Sequence, residues 1–182
     1  MRKYRLFFDF EFEPKTKAPI SFGLIGKGLN QTIQSLPCSI YHEFNFDRSK
    51  IKSTFLEDTV FPLLGLPEGQ ALINKGDFGQ VLSEQLIELC AASGVRDEEV
   101  VLVCDSEFDK DMFHQLSGNL FPVEIVKFDN FEEERDFEEV YDGSFDEINS
   151  PRHHALADAN ALMNAYISMK QSKQPMKARS FN

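Results

Sequence analysis

Long apolar runs are missing from this chain of 182 residues. Nowhere do about 18 uncharged apolar residues follow one another, so no membrane-spanning helix is expected. The N-terminal "MRKYRLFFDFEF" sets basic residues before apolar ones, but Asp9 and Glu11 interrupt any signal-peptide core. Cysteine is scarce: Cys38, Cys90 and Cys104 stand far apart and form no CxxC. An odd, scattered set of this kind fits reduced thiols and a cytoplasmic protein. Repeats and low-complexity linkers are absent as well, and the length suits one domain with a substantial core. Basic residues are outnumbered by acidic ones, 19 to 30, for a net charge of −11. That balance at first argues against a polyanionic partner. It is unevenly placed, however, because ten acids fall between Asp129 and Glu147 against Arg135 alone. This segment reads as a solvated acidic loop or helix face. The remainder is near neutral, with basic clusters in "MRKYR" and "KQSKQPMKARS", so charge neither suggests nor excludes nucleic acid.

What the chain does have is 42% apolar residues, with 18 phenylalanines, the composition of a folded globule. Lys3–Phe12, Pro19–Leu29 and Cys38–Phe46 read as three closely spaced strands, which suits an antiparallel meander. Ser53–Leu64 opens with a candidate N-cap and has apolar residues at helical intervals. Asp77–Gly94 is a clearer helix, with a stripe from Phe78 to Leu89 and a glycine stop. Glu99–Asp105 is nearly all apolar, as expected of a strand covered on both faces. A helix through Leu116, a strand over Val123–Phe128 and a final helix over His154–Lys170 complete the pattern. Strands first, then helices alternating with strands, predict an α/β fold: a mixed sheet flanked by helices. Residues 1–170 are expected to form the domain and 171–182, which lack a pattern, a mobile tail.

One stretch is chemically odd. In "RLFFDFEFEP" a strand would send Phe8, Phe10 and Phe12 into the core and Asp9 and Glu11 together to the other side. Neighbouring carboxylates repel, so something should neutralise them: solvent, or a hard divalent cation. Asp109 stands just past the end of the Glu99–Asp105 strand, where open α/β sheets commonly place ligands. Asp158 interrupts the Ala-rich stripe of the last helix.

These acids, in this order, resemble the DEDDh 3′-to-5′ exonucleases of the ribonuclease-H-like superfamily. "FDFEF" matches the Asp-x-Glu motif with Asp9 and Glu11. "DSEFD" matches the second motif through Phe108 and Asp109, with Asp105 where asparagine is common. "HHALADA" matches the third, from His153 to Ala159. The compact size and "HHALADA" look most like the small bacterial and phage exoribonuclease branch typified by the mycobacterial protein. The resemblance implies a ribonuclease-H-like sheet, with antiparallel meander plus parallel strands, and a catalytic set of Asp9, Glu11, Asp109, Asp158 and a histidine. The four acids would hold two Mg²⁺ or Mn²⁺ ions.

Two histidines compete for the role of base. Helical geometry favours His154, since His154 and Asp158 are four residues apart. The motif's spacing favours His153, which in the family sits just before or at the helix start. His153 is therefore assigned as the base and His154 as a surface or phosphate-contacting residue, with the helix starting near His154 or Ala155. Ser150 and Pro151 would instead favour an earlier start. Phe12 and Phe108 are the candidates for stacking terminal bases. The expected partner is a nucleic-acid 3′ end, RNA favoured and DNA allowed, and a homodimer follows by the same analogy. A 3′-to-5′ DNA exonuclease, a non-catalytic nucleic-acid-binding protein of this fold and a metal phosphatase are the competing readings.

Overall fold

A computed structural model describes residues 3–28, 34–66, 70–148 and 152–173. Five strands form one sheet: β1 (Tyr4–Phe12), β2 (Pro19–Gly26), β3 (Cys38–Glu43), β4 (Val100–Cys104) and β5 (Val123–Ile125). Their order is β3-β2-β1-β4-β5. The β1/β2 and β2/β3 pairs are antiparallel, whereas β4 runs parallel to β1 and β5 parallel to β4. This is a mixed sheet flanked by helices, as the order of strands and helices in the sequence predicts. The strands are shorter than the sequence pattern predicts, because the stretches after Gly26, Glu43 and Ile125 leave the ladder; Leu29 lies outside the described residues. Among the described residues no helix is long and apolar enough to cross a membrane.

Alternation along β1 decides which layer each residue meets. Leu6, Phe8 and Phe10 are buried in the larger core with Phe78, Leu82 and Leu86 of α1 (Phe78–Ser93) and Met112 and Phe113 of α2 (Glu107–Ser117). Gly94 ends α1 in the left-handed conformation, φ 65°, as predicted. Asp77 occupies the N-cap position of α1 without capping it, since its carboxylate accepts from Asn74 Nδ2 instead. Phe7, on the opposite face, packs with Val103 and with Leu162, Met163 and Tyr166 of α4 (Ala155–Ser172). The predicted helix over Ser53–Leu64 is irregular. A π turn over Leu56–Val60 passes into a 3₁₀ turn over Phe61–Leu63, with Pro62 unable to donate a helical hydrogen bond. Leu56, Val60 and Phe61 form a satellite core with Ile20 and Ile51.

The acidic segment is a helix, α3 (Phe131–Ile148), lying against α4. Phe137 and Phe145 are buried while most of its carboxylates face solvent. α4 starts at Ala155 with His154 at the N-cap position, the predicted start. Ser150, Pro151 and residues 174–182, which include most of the predicted mobile tail, lie outside the described residues; Gln171 and Ser172 belong to α4. Leu156 and Ile167 are only partly buried, and the closest packing comes from Ala155, Ala159, Ala161 and Ala165. Such small residues let α4 approach the sheet.

Candidate metal centre

Past the end of β4 the central strand loses one neighbour and stays paired with β2. The β1/β4 ladder ends at Phe7↔Val103, so Asp9 and Glu11 overhang it on the α4 side. Phe10 N–H, with no β4 carbonyl left to meet, donates instead to Asp109 Oδ1 at 3.1 Å. Asp109 sits in the first turn of α2, where Ser106 at the N-cap donates its hydroxyl to the other carboxylate oxygen and accepts from Asp109 N–H at 3.1 Å. The carboxylate is thus buried, 4% exposed, and aimed back at β1.

Asp158 arrives from α4, and a glycine makes that approach possible. Gly23 pairs with Asp9 across β1/β2. A Cβ on Gly23 would stand 2.3 Å from Leu156 N and 2.4 Å from Leu156 Cα. Only a residue without a side chain admits the first turn of α4 this close to β2. Asp158, one turn further on, is then 7% exposed, with its carboxylate beside that of Glu11.

Two triplets of carboxylates result, each with ligand oxygens mutually within 4.8 Å: Asp9, Glu11 and Asp158, and Asp9, Asp105 and Asp109. Asp9 belongs to both. All four predicted acids therefore meet, and Asp105 joins them. Asp105 had only been noted as a departure from the motif; its two-residue offset from Val103, which faces α4, is the signal that places it on the same side.

The crowding is visible in ionisation. Burial, then the charges of Asp109, Asp158, Glu11 and Asp105, push the Asp9 carboxyl well above its ordinary value. Burial and Asp158 raise Glu11 to about 8. Asp158 goes to about 7 and Asp109 to about 6, both chiefly through burial, with hydrogen bonds from Glu11 and Ser106 respectively pulling back. Burial also raises Asp105. An all-oxygen, carboxylate-rich set of this kind fits a hard divalent cation.

The histidines separate clearly. His153 takes a left-handed backbone, φ 64°, and its ring stands edge-on to Phe55 at 4.9 Å. Its backbone N–H hydrogen-bonds the Asp158 carboxylate, while the ring is not among the clustered ligands. Burial and Arg152 lower its pKa. His154 is no surface residue: it is half-buried and stacked on Tyr41 at 4.7 Å. Tyr41 O–H in turn donates to the buried Glu43, which also accepts from Gly65 N–H. Phe12 and Phe108 meet at 6.3 Å, with Lys17 Nζ 5.0 and 4.1 Å from their ring centres. Phe108 is 60% exposed beside Asp109. Sequence reasoning missed Phe55, Lys17 and also Tyr141, a half-buried residue of α3. Tyr141 packs against Ala157 and Ala161 of α4, next to Asp158, and burial, then the charges of Asp158, Asp9 and Asp105, raise its phenol. Its helical spacing from Phe137 and Phe145 was the available signal, obscured by the surrounding acids.

No protein-family model matches the chain, and no curated protein does. Solved structures do. S. pombe Pop2p in its Mg²⁺- and Mn²⁺-bound form aligns at TM-score 0.47 and 16% identity, over 92% of this chain and 82% of that one. The Mopeia virus exonuclease domain depleted of manganese aligns at TM-score 0.48 and 17% identity, over 91% and 77%. The same domain partially complexed with manganese gives 0.48 and 13%, over 93% and 79%. A likeness at this level says nothing about chemistry, which the carboxylates have to carry by themselves.

Proposed function

We propose that the chain is a metal-dependent 3′-to-5′ exonuclease that cuts terminal phosphodiesters, RNA favoured, and releases nucleoside 5′-monophosphates. The observation that carries this reading is the convergence of five carboxylates from β1, the end of β4, α2 and α4 into two triplets sharing Asp9. Asp9, Glu11 and Asp158 would hold one ion, and Asp9, Asp105 and Asp109 the other. Two Mg²⁺ or Mn²⁺ ions bound there would activate water, steady the leaving 3′ oxygen and neutralise the phosphate.

The chain's own residues supply the rest. His153, its pKa lowered, is neutral at physiological pH and able to accept the proton of the attacking water. Phe55 restricts the orientation of its ring. The exposed Phe108 and the partly buried Phe12 offer apolar faces for the terminal base, and Lys17 brings an ammonium to the rim of an acidic site. His154, held by Tyr41, supports the start of α4. The preference for RNA rests on the motif resemblance, and a DNA 3′ end fits the same platform.

The test is incubation of purified protein with 3′- and 5′-labelled RNA and DNA oligomers in Mn²⁺, Mg²⁺ or chelator. Stepwise, metal-dependent shortening from the 3′ end is expected, faster on RNA. Faster loss of DNA would exchange the substrate class, binding without cleavage would mark a non-catalytic relative, and release of inorganic phosphate alone would mark a phosphatase. His153→Ala should lower kcat by about 10²-fold with little change in metal affinity. If His154→Ala does this instead, the base is misassigned.

A further inference from the structure

One groove runs against the charge of the chain. It encloses ≈ 590 Å³ beside β5 and is lined by Arg5, Lys110, Lys127 and Lys170 against Glu107 and Glu124. Four cations thus face two carboxylates in a chain with 19 basic and 30 acidic residues. The two carboxylates are already engaged: Glu107 with Lys110 at 3.2 Å, and Glu124 with Lys3 at 3.2 Å and Arg5 at 3.5 Å. Arg5 Nε is buried without a hydrogen-bond partner. Among the described residues, Lys127 and Lys170 make no ion pair within 4.0 Å. Lys170 Nζ and the Arg5 guanidinium instead lie 5.2 and 5.9 Å from the Tyr166 ring centre. The next carboxylate along, Asp129, is taken by Lys173 at 2.7 Å.

The position of the groove is as telling as its charge. Its lining residues Val103, Glu107 and Lys110 bracket Asp105 and Asp109 along the chain, so the end of β4 and the start of α2 contribute both to the groove and to the carboxylate cluster. On β1, Arg5, Phe7, Asp9 and Glu11 share one face, and Arg5 is four residues, roughly 13 Å, from Asp9. On α4, Lys170 is roughly 18 Å from Asp158. The groove therefore leads away from the site over the span of a few nucleotides, with fixed positive charge along it. Unpaired lysines flanking a groove match a repeating monoanion, and phosphodiesters repeat in that way.

We infer that this groove holds the backbone of the single strand on the 5′ side of the bond being cut. The inference rests on the exonuclease reading above, and it adds a track that carries phosphate contacts without reading sequence. Lys127 and Lys170 supply the contacts that a long strand reaches and a dinucleotide does not.

The experiment compares Lys127→Glu/Lys170→Glu, and the milder Lys127→Gln/Lys170→Gln, with the parent protein on a dinucleotide and a long oligonucleotide. On the oligonucleotide KM should rise severalfold at low salt while kcat holds; on the dinucleotide both should be unchanged. Oligonucleotide binding, followed by fluorescence anisotropy in chelator, should fall less steeply with log salt by about 1.4 for the two lost contacts. If neither KM nor the salt slope moves while both substrates are still cleaved, the groove assignment alone is overturned. If the parent cleaves neither substrate, the exonuclease reading falls first. Competition by polyglutamate as strong as by the oligonucleotide overturns the assignment in favour of an acidic peptide.

Discussion

The segment from Asp129 to Glu147 carries ten acidic residues, mostly spread over the solvent side of α3, whereas the overhang of β1 gathers five within a few ångströms. In that segment water solvates most of the charges, and just before α3 the Lys173 ammonium holds Asp129 below its ordinary value. At the β1 overhang burial raises every member, and repulsion from neighbouring carboxylates adds to it for Asp9, Glu11, Asp109 and Asp158. The same side chain type is thus unremarkable in one place and under electrostatic load in the other. Number and local density of acids in the sequence point to the wrong region. Convergence in space, on elements far apart in the chain, marks the reactive one.

The sharpest way to break that contrast is to neutralise one member of the loaded cluster. Asp9→Asn should cost about 10²–10³-fold or more in kcat, because Asp9 alone belongs to both triplets. It should also raise the melting temperature of the metal-depleted protein at neutral pH by removing a buried carboxyl whose ionisation burial and its neighbours oppose. Unchanged turnover would dissolve the proposed site, and a lowered melting temperature would show the carboxylates to be structural.

Gly23→Ala tests the geometry that creates the cluster. The new methyl would collide with backbone at Ala155 and Leu156, which cannot rotate away. The cost should be about 1–3 kcal/mol of stability, with a weaker melting-temperature response to Mn²⁺ as Asp158 is displaced. A variant as stable and as responsive as the parent would mean α4 is held by other contacts.

Much of this was legible in the chain itself. The alternation in "FDFEF" separated a core face from an acidic face, and "HHALADA" put Asp158 on a helix whose start at Ala155 was predicted. The fold followed from strand spacing plus those motifs. Other features were not legible because they depend on contacts between distant elements. Asp105 looked like a substitution until the short β4/β1 ladder placed it beside Asp9 and Asp109. Gly23 looked like any strand glycine until α4 lay across it. Phe55 belongs to an irregular turn with no periodic signature, and its contact with His153 exists only in the folded chain.

The pH response should have opposite signs in the two regions. For Glu11, Asp158 and Asp109 the folded values lie above those of an unfolded chain, so their contribution to stability is complete near pH 4 and is lost as pH rises through about 6 to 8. Asp129, with a lowered value, contributes above its unfolded pKa and loses that contribution as pH falls. Metal-depleted protein should therefore melt at lower temperature at pH 8 than at pH 6. Added Mn²⁺ should raise the melting temperature more at pH 8, because ions bind the deprotonated cluster. Equal gains at both pH values would separate metal binding from these carboxylates.

The smallest effect is expected on the solvated side, and it is the control that gives the others meaning. Glu138 and Glu139 are exposed on α3 and make no ion pair among the described residues. Glu138→Gln/Glu139→Gln removes two charges, twice the change made by Asp9→Asn, yet should shift stability by no more than about 0.5 kcal/mol per site. Turnover on a dinucleotide should be unchanged, and any gain on a long oligonucleotide should vanish at high salt, as screening requires of a distant field. If these substitutions suppress turnover as Asp9→Asn does, net charge rather than the caged carboxylates governs the activity, and the difference between the two acidic regions loses its mechanistic content.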